Sequence, residues 1–179
     1  MQKENLTRGY IQVYTGNGKG KTTAAIGQAV RAAGFGLKSY IAQFMKEFPY
    51  NELESLKHLD KWITIEQFGG DEFVYKKELP CEDEIKKAAK GLNAVKKNML
   101  SGEYNIIIMD EVCVSIYFGL FGAKDVLKIM EQKPNNVELI LTGRYCPDEL
   151  LEKADLITEM KEIKHYYDKG ITSRRGIES

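Results

Sequence analysis

Short apolar runs at 10–14, 38–44, 62–67, 104–110, 137–142 and 155–160 predict six strands, most of them separated by stretches with helical spacing. This alternation predicts an α/β fold, a mostly parallel sheet with helices on both faces. The runs Tyr104 to Met109 and Val137 to Leu141 are almost continuously apolar, as expected for strands covered on both sides. A helix after the first strand carries Ala25, Ile26, Ala29, Val30 and Ala33 on one face, and Gly34 with Gly36 supplies its stop. A second helical pattern, Pro80 to Leu100, turns Ile85, Ala88, Ala89, Leu92, Val95 and Met99 inward and its lysines to solvent. The mixed stretch Lys46 to Asp60 is expected as a helix or loop lying over the sheet. No local pattern encodes the strand order. With no repeat, low-complexity tract or linker, residues 1–179 are expected as a single domain.

A chain of 179 residues can bury about two thirds of the surface its unfolded form exposes, so it needs no covalent staples. Twenty-six basic and 26 acidic residues balance, and no global field favours nucleic acid or a membrane surface. Cys81, Cys113 and Cys146 are widely spaced and lack any C-x-x-C pairing, which argues against a disulfide framework or structural zinc. Met1 to Arg8 is polar, and no apolar run reaches the length of a membrane span. A soluble protein of the reducing cytoplasm is expected.

Candidate chemistry begins with Thr15-Gly16-Asn17-Gly18-Lys19-Gly20-Lys21-Thr22-Thr23, set between the first strand and the first helix. Closely spaced glycines let successive backbone N–H groups converge on an anion, Lys21 adds a mobile charge, and Thr22 offers a hydroxyl to Mg²⁺. The chain is therefore expected to bind a nucleoside triphosphate. The general pattern G-x-x-x-x-G-K-[ST] would put its first glycine at 15, where this chain has Thr15 and glycine follows one place later. A later strand ends in Asp110-Glu111, where phosphate-loop proteins hold the carboxylates that organise Mg²⁺. Arg144, after Leu141-Thr142-Gly143, should emerge at the same sheet edge and could brace phosphate charge. Arg31 lies near the end of the first helix, exposed by spacing alone. His58 and His165 have no partner at catalytic spacing.

Taken together, Gly16 to Thr23, Gln43-Phe44-Met45-Lys46, Asp110-Glu111, Leu141 to Arg144, Lys164-His165 and Arg174-Arg175-Gly176-Ile177-Glu178 resemble the ATP:corrinoid adenosyltransferase family. The resemblance covers almost the whole chain. It implies transfer of the 5′-deoxyadenosyl group of ATP to the Co(I) of a reduced corrinoid, cobalamin or cobinamide, with release of triphosphate. In that family the nucleotide looks reversed relative to other phosphate-loop enzymes. The resemblance further implies ATP contacts from Asn17, Gly18, Lys19, Gly20, Lys21, Thr22, Thr23, Arg31 and Arg144, and Mg²⁺ (or Mn²⁺) near Thr22, Asp110 and Glu111. Lys21, Glu111 and Phe68 would be catalytic, Phe68 by covering the lower corrin face so that the axial base is excluded. Gly70 stands where many members carry a tryptophan, with Phe73 or Tyr75 as substitutes, while Trp62 lies elsewhere. A homodimer and an electron donor such as a flavodoxin or reduced flavin are also implied. Only nine residues precede the first strand, whereas longer relatives place an extra helix over the corrinoid.

Two alternatives remain open from sequence. One is an ordinary ATPase or small-molecule kinase, although residues 46–80 contain no arginine for a kinase lid. The other is a nucleotide-gated corrinoid carrier without turnover.

Overall fold

The computed structural model describes residues 6–47, 50–70, 72–76 and 78–178, with Tyr75 and Lys76 by backbone alone. Six strands form one sheet: β1 (Ile11–Thr15), β2 (Ser39–Phe44), β3 (Ile63–Phe68), β4 (Ile106–Asp110), β5 (Glu138–Thr142) and β6 (Leu156–Glu159). The six expected strands are thus present within one or two residues of their predicted limits. Their spatial order is β3-β2-β4-β5-β1-β6, and every pairing is parallel. Seven α-helices connect them: α1 (Lys21–Phe35), α2 (Asn51–Leu56), α3 (Glu72–Lys76), α4 (Glu82–Leu100), α5 (Val112–Tyr117), α6 (Ala123–Glu131) and α7 (Asp148–Leu151). Parallel strands put all their carboxyl ends at one edge, where open α/β sheets bind ligands.

The two-residue period of each central strand divides the core into layers. Ile41, Ile106, Ile108 and Ile140 face the side covered by α1, where Ala25, Ala29, Ala32 and Ala33 allow close approach. Tyr40, Ala42, Phe44, Ile107, Met109, Leu139 and Leu141 face the opposite layer, built by α4, α5, α6 and α7. No helix among the described residues is long and apolar enough to cross a membrane.

Two helix faces differ from expectation. Val30 is 44% exposed, because the buried stripe of α1 runs through Ala32 and Ala33 instead. On α4 the buried positions are Ala88, Gly91, Val95 and Met99, leaving Ile85 and Ala89 outward. Gly91 explains the rotation: a Cβ built there would lie 2.6 Å from Phe44 Cε1 and 2.8 Å from Phe68 Cγ, so the helix meets the sheet through the residue without a side chain. Gly91→Ala should therefore cost about 1–3 kcal/mol by overpacking. The check is a lower urea midpoint at constant slope; an unchanged midpoint would mean that the two rings move aside freely.

Candidate functional site

At the carboxyl edge, β1 continues through Thr15, which is paired with Glu159, so the phosphate loop opens only at Gly16. This extra strand residue accounts for the shifted glycine spacing. Gly16 and Gly20 have φ of 91° and 116°, conformations that suit glycine. A Cβ at Gly16 or Gly18 would lie 2.6 Å from the Met160 carbonyl, which also accepts the Gly18 N–H at 2.6 Å. Lys21 is buried, and its Nζ donates to the carbonyls of Gly16 and Gly18, both at 2.8 Å. Burial pulls its ammonium below the usual lysine range, partly offset by the charge of Glu111.

Behind the loop lies a buried hub at Asp110. Its Oδ1 accepts from the hydroxyls of Thr22 (2.9 Å) and Thr142 (2.7 Å), and its Oδ2 from Gln43 Nε2 (3.2 Å) and Lys46 Nζ (2.8 Å). Burial alone would raise this carboxyl, but the charge and hydrogen bond of Lys46 hold it below the usual carboxylate range. Lys46 shows the converse: burial would lower it, and Asp110 outweighs that and raises it. Asp110 thus has four donors and organises Thr22 and Lys46.

Glu111 is different. It sits at φ 61°, its N–H donates to Thr142 Oγ1 at 2.9 Å, and its carboxylate accepts no hydrogen bond from any described residue. Burial, then the charge of Asp110, push it up from the ordinary carboxylate range. It borders three cavities. One, of about 610 Å³, is lined by Lys19, Thr22, Thr23, Tyr50, Asn51 and the tail residues Gly176 to Glu178. The next, about 300 Å³, is walled by Met45, Val74, Val114, Phe118, Arg144 and Tyr145. A third, about 290 Å³, is lined by Asn17 to Thr23 with Arg144 and His165. Met45, Glu111 and Tyr145, with φ of 54°, 61° and 58°, are the non-glycine residues in the left-handed region among the described residues, and all three line the second cavity. Strain of this kind costs on the order of 1–3 kcal/mol per residue and clusters at functional sites.

The structure therefore brings together Asn17, Gly18, Lys19, Gly20, Lys21, Thr22, Thr23, Glu111 and Arg144 around adjoining cavities. Arg31 is not among them; it is exposed on α1, about 15 Å along the helix from the loop at 1.5 Å per residue. Phe68 is 8% exposed, with its ring 6.0 Å from that of Phe44, and lines a further cavity of about 500 Å³ with Lys87, Lys90 and Lys46, the last of which borders the 610 Å³ and 300 Å³ cavities as well. Phe73 is buried against Phe118, and the side chain of Tyr75 lies outside the described residues. Trp62 packs on the α1 side of the sheet. Lys46, Gln43 and Thr142 were not singled out for a role from sequence. Their signal was position: each lies at or just beyond the carboxyl end of a predicted strand.

The tail closes one wall of the 610 Å³ cavity. Lys19 Nζ donates to the Ile177 carbonyl (3.0 Å), Arg175 Nε to Asn51 Oδ1 (3.3 Å), and Glu178 accepts from Tyr166 and Arg174. Arg174, then Tyr166, hold the Glu178 carboxyl down to about 2. A folded value below the unfolded one of about 4.3 means the contact is fully present above that pH and is lost as pH falls through about 2. Glu178→Gln should speed hydrogen exchange of residues 166–178 severalfold at neutral pH while the sheet keeps its protection. Equal protection in both proteins would show that the carboxylate does not hold the tail.

Fold and site together define a phosphate-loop nucleotide-binding protein of the α/β class. The sequence model described as ATP:corrinoid adenosyltransferase BtuR/CobO/CobP matches residues 7–179. A corrinoid adenosyltransferase of Escherichia coli (strain K12) is 31% identical over 174 residues, covering 96% of this chain and 86% of that protein. The corrinoid adenosyltransferase CobA of Salmonella typhimurium (strain LT2) is 31% identical over 173 residues with the same coverage. One from Sinorhizobium is 30% identical over 177 residues, covering 96% of this chain and 80% of that protein. The chain belongs to the ATP:corrinoid adenosyltransferase family.

Proposed function

We propose that this protein transfers the 5′-deoxyadenosyl group of ATP to the cobalt of a Co(I) corrinoid, cobalamin or cobinamide, and releases triphosphate. The observation that carries this reading is the family match across nearly the whole chain, on a phosphate loop that adjoins a second, partly apolar cavity through Glu111 and Arg144. Co(I) is itself a strong nucleophile, so the protein supplies orientation and charge stabilisation, with no general base. Holding the two reactants in near-attack geometry can supply on the order of 7–11 kcal/mol. The negative charge that builds on triphosphate is met by the loop N–H groups, Lys21, Lys19 and Arg144.

Mg²⁺ fits the residues present. Thr22 and Glu111 border the same cavities, and the half-buried Glu111 carboxylate faces them with no hydrogen-bond donor among the described residues, which suits a cation. Mg²⁺ in nucleotide sites is commonly held by one or two protein ligands together with substrate phosphates, which the pair Thr22 and Glu111 would suit. When bound, it would neutralise triphosphate charge. The same reading carries with it a cytoplasmic setting, a homodimer and an external electron donor that returns cobalt to Co(I), such as a flavodoxin or reduced flavin.

The test is anaerobic mixing with Mg-ATP and chemically reduced cob(I)alamin, following the corrinoid spectrum and the phosphate products. Adenosylcobalamin with equimolar triphosphate supports the transferase. ADP with an unchanged corrinoid would overturn it in favour of an ATPase or kinase.

A further inference from the structure

Lys46 is 8% exposed, a rare place for an ammonium, and nothing in the phosphate-loop chemistry above uses it. Its Nζ is held 2.8 Å from Asp110 Oδ2, 3.5 Å from Thr22 Oγ1 and 3.8 Å from Glu52 Oε1, and lies 4.9 Å over the Tyr50 ring. A lysine carries three donors, of which Asp110 and Thr22 account for two. The position is equally telling. Lys46, Tyr50 and Glu111 are the described residues that line both the 610 Å³ cavity and the 300 Å³ cavity, so they form the partition between them. Lys46 is the basic member of that partition. Lys21, by contrast, is turned into the loop and borders only the phosphate-sized cavity.

We propose that Lys46 is a catalytic residue whose ammonium receives the charge on the oxygen that leaves C5′. The inference rests on the adenosyl-transfer reading. In that reaction the electron pair of Co(I) forms the cobalt–carbon bond, and cobalt becomes formally Co(III). The C5′–O bond breaks with its pair staying on oxygen, so triphosphate departs with one more negative charge than it carried in ATP. No proton moves. The bond that breaks must lie where the nucleotide cavity meets the acceptor cavity; the buried cation between the 610 Å³ and 300 Å³ cavities is Lys46, whereas the exposed Arg144 stands between the 290 Å³ loop cavity and the 300 Å³ one. Asp110, Glu52 and the Tyr50 ring hold it in place before the reaction, so it need not reorganise when charge appears. Asp110 acts through Lys46 and is a positioning residue. The arrangement also gives a reason for the strained backbone of Met45 (φ 54°): the turn at Met45 redirects the chain at the end of β2 so that Lys46 points back into the edge of the sheet.

The test compares wild type with Lys46→Gln, which keeps a donor for Asp110 without the charge, with Lys46→Arg, and with Lys46→Ala assayed with and without added ethylammonium. Near-UV circular dichroism confirms the fold of each. With saturating cob(I)alamin, Lys46→Gln should lose about 10²–10³-fold in kcat while the ATP dissociation constant stays within about threefold. Ethylammonium should restore part of the Lys46→Ala rate, and Lys46→Arg should keep more activity than Lys46→Gln. An active wild type with a folded Lys46→Gln within about threefold of its kcat overturns the assignment alone, as does a loss that resides wholly in ATP binding. A wild type that makes no cobalt–carbon bond overturns the transferase reading and this assignment with it.

Discussion

Lys21→Ala is expected to lower kcat/KM for ATP by about 10²–10³-fold, roughly 3–4 kcal/mol, the scale of losing one preorganised donor to a developing oxyanion. The side chain is 6% exposed and spans the inside of the loop, with Nζ 2.8 Å from each of two loop carbonyls. Those carbonyls point the wrong end of their dipole toward an anion, and the ammonium cancels them. Alanine would remove the positive charge and leave the Gly16 and Gly18 carbonyls without the donor that they share. Because triphosphate is charged in the ground state as well as in the transition state, the loss should be divided between kcat and ATP affinity, unlike the loss at Lys46, which should fall on kcat. The measurement is steady-state kinetics together with ATP titration of the same preparation. Near wild-type turnover would remove Lys21 from the mechanism.

Asp110→Asn carries the largest expected cost in stability, about 3–5 kcal/mol, because it takes from the buried Lys46 ammonium its close counter-ion and leaves only the longer pairing with Glu52 at 3.8 Å. For a domain of this size that corresponds to a fall in Tm on the order of 10 °C. The folded Asp110 carboxyl lies below its ordinary value. Its contribution is therefore complete above the unfolded pKa of about 3.9 and is lost as pH falls through the lower folded value. Wild type should thus lose stability in acid more steeply than Asp110→Asn does. Adding Lys46→Gln to Asp110→Asn should cost less than the sum of the two single changes, since neither charge is then left alone. Thermal melts from pH 2 to 7 of wild type, the two single variants and the double variant check this; additive losses with parallel pH profiles would show that the pair is not coupled.

The parts that could be read in advance are those whose cause is local. Gly16, Gly18 and Gly20 with Lys21 and Thr22 form a loop because nine consecutive residues suffice to build it, and the strands at 106–110 and 138–142 announce themselves as unbroken apolar runs. Where a neighbour far along the chain decides, the pattern misleads. The apolar spacing of α4 points to Ile85 and Ala89, but the rings of Phe44 and Phe68 select the face carrying Gly91. Phe68, at the end of β3, packs against Phe44 and Gly91 while also lining a cavity, a pairing of contacts that no local pattern encodes. Asp110 ends its strand as the apolar run predicts, but the four donors on its oxygens come from other segments of the chain.

By itself, then, the sequence determined the α/β class, the six strands, the phosphate loop and the acidic strand end, since each depends on backbone preference and periodicity within about ten residues. The tertiary structure decided the strand order, and with it the site. Setting β2, β4, β5 and β1 side by side brings Gln43, Asp110, Thr142 and Thr22 within hydrogen-bonding reach although up to 120 residues separate them along the chain. Burial then makes that contact consequential, because an ammonium and a carboxylate withdrawn from water hold each other in place, whereas the same Lys46 and Asp110 in an unfolded chain would each be solvated and independent.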